Sequence, residues 1–136
     1  MYKTENKNKN LNKILIITLS IIILNCDTKK LNIYDSQDYI KISKETLLLG
    51  EKIYSKSCSH CHTAGVAGAK KIDNYNYWNG IASKGMKKVF DNASRGYNGT
   101  YGMMPPKGNC LNCSNKELKA SIYFMLYKAE NNRTIK

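Results

Sequence analysis

The chain has 136 residues, enough for one domain of a size at which a hydrophobic core alone is marginal, so a cofactor or covalent staple is expected. Hydrophobic residues make up 42% of the sequence and charged residues 24%, which excludes a disordered composition. The net charge is +12, from 22 basic and 10 acidic residues. A basic charge favours acidic protein partners or an anionic membrane face, and we expect no nucleic-acid partner. Because the lysines are scattered, general lysine enrichment with no partner behind it stays the alternative.

The N-terminus, residues 1–26, predicts a signal peptide or membrane anchor. Several lysines precede ILIITLSIIIL, an uncharged run with the length of a signal-peptide core, too short to cross a bilayer alone. We therefore expect export, to the periplasm or the outer face of the bacterial inner membrane. Three fates stay open at Cys26: lipidation, cleavage nearby, and an uncleaved anchor that holds the protein at the membrane. Residues 27–42 are polar and predict a flexible tether.

Residues 43–136 predict a helical domain. The segment SKETLLLGEKIYSKS has a candidate N-cap at Ser43 and runs directly into CSHCH. Shorter helical pieces are predicted over 75–84 and 86–94. The S-x-x-E capping box of Ser114 and Glu117 opens an amphipathic helix that ends near residue 130. No strand alternation of useful length occurs, so the elements favour an all-α fold.

The segment CSHCH places two cysteines and two histidines within five residues. A zinc ribbon would pair this C-x-x-C with the one at 110–113, but it leaves His62 without a role and the pairs lie far apart. A thioredoxin-like dithiol needs an α/β pattern, which is absent. The remaining interpretation is C-x-x-C-H, the attachment motif of a c-type haem. It uses Cys58, Cys61 and His62 together and leaves His60 as a bystander.

A haem iron held by one histidine has a sixth position, so the interpretation predicts a second ligand downstream. The segment GMMPPKG sets a methionine before two prolines on a stiff loop, and a thioether is a soft, neutral ligand suited to low-spin iron. Taken alone, Met103 and Met104 would be interpreted as apolar filler. The C-x-x-C-H motif upstream favours the ligand interpretation instead.

These segments together resemble the small class I cytochromes c of the cytochrome c5 type, from about Leu48 to Lys128. The resemblance is carried by GEKIYSKSCSHCHTAGVAGAKK, Trp78, GMKKVFDNASRG, MMPPKGNCLNCS and ELKASIYFML. It implies a cytochrome c fold, with several short helices around one covalently bound haem c. By position it implies two thioether anchors, a proximal ligand and a distal ligand, namely Cys58, Cys61, His62 and Met104.

The resemblance also implies how the first and last helices and the ligand loop are held. Gly50 should meet Phe124 where the two helices cross, because a residue without a side chain permits close approach. The second C-x-x-C, Cys110 and Cys113, should be a disulfide that stiffens the loop after the methionine, with a free dithiol as the alternative.

Two departures from the family pattern concern contacts to the haem. The family usually has proline where this chain has Lys70, and the backbone carbonyl there is expected to hold the second nitrogen of the proximal histidine. The family's arginine near a haem propionate is missing. We expect Trp78, Asn79 or Lys84 to replace it.

Ligation by histidine and methionine leaves the iron no open position, so we expect an electron carrier and not an enzyme. The protein should shuttle single electrons between redox partners in the cell envelope. Lysines around an exposed haem edge would dock on the acidic surface of a reductase or oxidase. The alternatives are a haem enzyme or gas sensor with a displaceable Met104, and a structural zinc module.

Overall fold

A computed structural model describes residues 31–135, so the predicted leader and Cys26 lie outside the described residues. The helices are α1 (Gln37–Ile40), α2 (Lys44–Ile53), α3 (Ser59–His62), α4 (Tyr75–Ala82), α5 (Gly85–Arg95) and α6 (Asn115–Asn131). A π-helical turn joins α2 to α3, and short 3-10 helices cover Ile33–Asp35, Val66–Gly68, Pro106–Asn109 and Asn132–Ile135. None of the helices in this described part is long and apolar enough to cross a membrane. The predicted all-α fold is confirmed.

The two helices that were predicted with caps begin where the sequence places them. The Ser43 hydroxyl accepts a 3.2 Å hydrogen bond from the Thr46 N–H and starts α2. At the start of α6, the Ser114 hydroxyl accepts from the Glu117 N–H at 3.3 Å, and the Glu117 carboxylate accepts from the Ser114 N–H at 2.8 Å. The capping box is therefore complete, and it satisfies two N–H groups that the helix itself cannot pair.

Helices α2 and α6 cross at Gly50, as the sequence predicts. A Cβ atom on Gly50 would collide with the carbonyl oxygen of Ala120 and would lie 2.8 Å from the Cβ of Phe124. The expected contact with Phe124 is confirmed, and the backbone of α6 lies closer still. The buried residues of α6 form the centre of the core: Leu118, Ala120, Ser121, Ile122, Tyr123, Phe124, Met125, Leu126 and Ala129.

A short antiparallel hairpin, which the sequence did not reveal, precedes the proline loop. Strand β1 (Tyr97–Gly99) pairs with β2 (Gly102–Met104), and Tyr97 faces Met104 across the ladder. Each strand has three residues, too few for an alternating pattern to be recognised. The hairpin places the end of β2, with Met104, beside the core of the domain.

The described part of the predicted tether, residues 31–42, differs from the flexible segment that its polar composition indicated. Ile33 is only 1% exposed and belongs to the main core. The hydroxyls of Tyr34 and Tyr39 donate hydrogen bonds of 3.2 and 2.7 Å to acceptors in the last turns of α6. Ile33, Tyr34 and Tyr39 therefore dock this segment against the core and α6.

Candidate functional site

A cavity of about 610 Å³ lies between the CSHCH segment and the hairpin. That volume is within the range of about 300 to 1,000 Å³ that cofactor sites occupy. All four predicted haem-site residues line it: Cys58, Cys61, His62 and Met104. Apolar side chains from α4 and α6 form part of the lining, namely Trp78, Ile81, Ile122, Met125 and Leu126.

Neither cysteine of the C-x-x-C-H motif forms a disulfide. Cys58 ends the π-helical turn and is buried against the core, and burial raises the pKa of its thiol. Cys61 lies one helical turn further, on α3, and is half-buried. The hydroxyls of Tyr54 and Thr63 share a 2.9 Å hydrogen bond that ties the two ends of this segment together. The backbone therefore holds both thiols at the edge of the same cavity.

The imidazole of His62 is oriented by the backbone of the following loop. Its Nδ1 lies 2.8 Å from the carbonyl oxygen of Lys70. A carbonyl only accepts, so Nδ1 donates here, and in the neutral imidazole this leaves a free lone pair on Nε2, as a metal-binding histidine requires. The predicted hydrogen bond between His62 and the Lys70 carbonyl is confirmed. The Trp78 ring packs against the imidazole with its centroid 5.5 Å away.

Burial separates the two candidate methionines of the hairpin. Met104 is half-buried and packs against the main core, whereas Met103 is 72% exposed. Both line the cavity. The terminal methyl of Met104 lies within 4 Å of where a Cβ on Gly108 would stand, so the proline loop passes close to it.

The second C-x-x-C motif lies outside the cavity lining. Cys110 and Cys113 are joined in a disulfide and are buried with Ile53 in a small apolar cluster of their own. Across residues 31–135 no three or more His, Cys, Asp or Glu side chains converge on a point that could hold a metal ion. The zinc module that remained an alternative therefore lacks its four-sulfur centre.

The three candidates for a haem propionate contact differ in the structure. The indole N–H of Trp78 donates a 2.8 Å hydrogen bond to the carbonyl of Lys71, so it is already engaged. Asn79 is exposed and does not line the cavity, whereas Lys84 does. Of the three, only Lys84 keeps a free polar group at the cavity.

His60, the second histidine of the CSHCH segment, is exposed at the cavity edge, and its Nδ1 lies 3.3 Å from the Ser57 carbonyl oxygen. This position agrees with the expectation that His60 is a bystander.

The structure adds one polar residue that the sequence interpretation missed. Ser121, on α6, is 1% exposed, and its hydroxyl donates a 2.8 Å hydrogen bond to the Leu118 carbonyl. The Ser121 side chain also lowers the pKa of the Cys58 thiol, which partly offsets the effect of burial. A serine inside an otherwise apolar stretch of a core helix is the only signal the sequence offers for it.

Comparison with known proteins places this site in a family. Residues 45–125 match the family model described as "Cytochrome C oxidase, cbb3-type, subunit III". The chain belongs to this cytochrome c family. The cytochrome is 34% identical over 77 residues to "Cytochrome c-555" of Chlorobaculum thiosulfatiphilum, covering 57% of this chain and 90% of that protein. It is 39% identical over 77 residues to "Cytochrome c5" of Ectopseudomonas mendocina, covering 55% and 84%.

A solved structure agrees with these relatives. The chain described in "Crystal structure of electron transfer complex of nitrite reductase with cytochrome c" superposes with a TM-score of 0.53 at 30% identity. The match covers 60% of this chain and 94% of that one. The predicted family, fold and electron-transfer function are thereby confirmed.

The cytochrome carries one covalently bound haem c, and its cavity fits that group. Two free thiols, an imidazole with an available Nε2 and a thioether all line the cavity, and the remaining lining is largely apolar. Thiols for covalent attachment together with nitrogen and sulfur for iron are the donor set of a c-type haem.

Proposed function

We propose that Cys58 and Cys61 are the thioether anchors of the haem, with His62 as proximal and Met104 as distal ligand. On this basis the cytochrome is an electron carrier without enzymatic activity. Two observations together carry the proposal. All four side chains line one cavity, and the hydrogen bond of His62 Nδ1 to the Lys70 carbonyl leaves Nε2 for the iron.

The chain's own residues set how the electron is exchanged. The haem, when bound, supplies an iron that gains and loses one electron. The Lys70 carbonyl fixes the tautomer of His62 and increases its basicity as a ligand. The neutral thioether of Met104 favours the ferrous state. The apolar side chains of α4 and α6 keep water from the cavity. With His62 and Met104 both bound to the iron, no position would be left for oxygen or a substrate.

The partners proposed are redox proteins with acidic surfaces, such as a reductase or an oxidase. Three lysines line the cavity, Lys56, Lys70 and Lys84, and the chain as a whole carries a net charge of +12. Opposite charges steer such encounters and make them fast, weak and sensitive to salt. We place the protein in the periplasm or on the outer face of the inner membrane, attached through its N-terminus if the leader is kept or Cys26 is lipidated.

The disulfide of Cys110 and Cys113 is proposed to stiffen the loop after Met104. The bridge closes a very short loop, so it removes little entropy from the unfolded chain and acts locally. Both cysteines are buried, and they pack against the start of the haem-binding segment through Ile53 at the end of α2. The second half of the ligand loop is thus fixed to the helix that leads to the haem anchors.

The ligand assignment is tested with protein made in a strain that attaches haem c. Haem colour should stay with the polypeptide on a denaturing gel and should be lost in a Cys58→Ala, Cys61→Ala double variant. Met104→Ala should lose the methionine-to-iron charge-transfer band of the oxidised protein, whereas the matched control Met103→Ala should keep it. Carbon monoxide should not bind the reduced wild type. Binding of carbon monoxide would instead support a gas sensor or a haem enzyme.

A further inference from the structure

The two walls of the haem cavity meet at a seam of small residues. One side of the seam is the 3-10 turn Val66–Gly68, and the other is the tip of the hairpin. A Cβ on Gly68 would collide with the carbonyl of Tyr101, and a Cβ on Gly102 would collide with the carbonyl of Ala67. The backbones touch because neither glycine carries a side chain.

The hairpin and the turn meet through this backbone packing and through a contact between side chains. Within residues 31–135 no backbone hydrogen bond joins the segment 66–70 to the hairpin. A cation–π contact joins the two sides: the Lys70 ammonium lies 3.3 Å from the centroid of the Tyr101 ring. The same ammonium lies 5.8 Å from the centroid of the Tyr77 ring on α4. An ammonium over an aromatic face is attracted by the ring's negative face.

Lys70 thus contacts both sides of the cavity with different parts of one residue. Its carbonyl accepts the hydrogen bond from His62, which fixes its backbone to the proximal side. Its ammonium lies on Tyr101, in the two-residue turn that precedes β2. Strand β2 ends at Met104. Displacement of the hairpin from Lys70 would therefore also displace the methionine.

We propose that Lys70 is a latch for the distal side of the haem site, and that its contact with Tyr101 keeps Met104 in place. This rests on the proposed function, because Met104 is the distal ligand there. The latch stabilises the hairpin in its position against the turn Val66–Gly68. An external ligand that replaces Met104 on the iron therefore has to overcome the contact of Lys70 with Tyr101 as well as the bond to the thioether. Lys70 is a positioning residue and need not touch the iron.

The test is a titration of the oxidised haem-loaded protein with imidazole, followed by loss of the methionine-to-iron band. An exposed cation–aromatic contact corresponds to a roughly two- to fivefold change in an equilibrium constant. Lys70→Gln and Tyr101→Leu should each tighten apparent imidazole binding by that factor, and the double variant should tighten it no further. Lys70→Arg should bind like the wild type, because arginine also stacks on tyrosine.

The controls separate the latch from simpler explanations. Lys70→Gln keeps the backbone carbonyl on His62, and Lys71→Gln makes the same charge change one residue away on an exposed side chain. Lys71→Gln should match the wild type. Three results would overturn the latch. The first is an equal effect of Lys70→Gln and Lys71→Gln, and the second is an additive effect of Lys70→Gln and Tyr101→Leu. The third is wild-type imidazole affinity in both Lys70→Gln and Tyr101→Leu.

The proposed function fails in a different way. A wild type that lacks the methionine-to-iron band has no methionine to hold, and this result would overturn the ligand assignment together with the latch. If the band is present in the wild type and unaltered affinity is found in the variants, the ligand assignment survives and only the latch is lost. Should Lys70→Gln fail to fold, the comparison of Tyr101→Leu with the wild type decides, because Tyr101 is 61% exposed.

Discussion

Replacement of Gly50 by alanine should destabilise the protein even though alanine is the better helix former. The new Cβ would overlap the Ala120 carbonyl, and a helix backbone cannot rotate away as a side chain can. Overpacking of this kind costs about 1 to 3 kcal/mol, and we expect the upper part of that range. Alanine regains about 1 kcal/mol of helix propensity, which leaves a net loss of about 2 kcal/mol. The midpoint of thermal unfolding should fall by about 10 °C.

Gly80 provides the matched control for this variant. It lies in the interior of α4, and a Cβ there would meet nothing within 4 Å. Gly80→Ala should therefore show the propensity gain alone, about 0.5 to 1 kcal/mol of added stability. Both variants are compared with the wild type by denaturant unfolding of the haem-loaded protein, followed by far-UV circular dichroism. A Gly50→Ala variant as stable as Gly80→Ala would refute the argument that the helix crossing requires glycine.

Three further outcomes are expected. Tyr39→Phe should lose about 1 kcal/mol of stability, measured by denaturant unfolding, because a 2.7 Å hydrogen bond to a carboxylate on α6 disappears. Hydrogen bonds from the Ser114 backbone and side chain lower the pKa of the Glu117 carboxyl in the folded protein. The carboxylate therefore stabilises the fold at a pH above its pKa in the unfolded chain, and this stabilisation is lost as the pH falls through its pKa in the folded protein. Unfolding curves at neutral and acid pH should show Glu117→Gln less stable than the wild type only at the higher pH. Cys110→Ser combined with Cys113→Ser should keep the haem on a denaturing gel and bind imidazole more tightly, since the loop after the proposed ligand Met104 is then looser.

What the residue patterns by themselves predict well is local, whereas the long-range contact of Gly50 with Phe124 is implied by the family resemblance. The caps of α2 and α6 are read from residues a few positions apart, and the C-x-x-C-H motif is contiguous. The docking of residues 31–42 escapes a sequence argument because it depends on tyrosines meeting acceptors about 90 positions away. The contact of Lys70 with Tyr101 also could not be predicted from the sequence, because the two residues are distant along the chain and only the fold brings them together. Neither residue differs in the sequence from an ordinary surface side chain.

The two sides of the haem site are held by different kinds of contact. On the proximal side, the Gly65 N–H donates to the Cys61 carbonyl and the Ile72 N–H to the His62 carbonyl, each at 2.8 Å. These backbone bonds add to the imidazole bond and to the two proposed thioethers. On the distal side, Met104 belongs to a hairpin whose strands are three residues long and whose turn is exposed. Short hairpins are marginally stable without support from their surroundings. Of the two proposed ligands, Met104 is therefore the one whose retention depends on tertiary contacts, whereas His62 is fixed by its own segment.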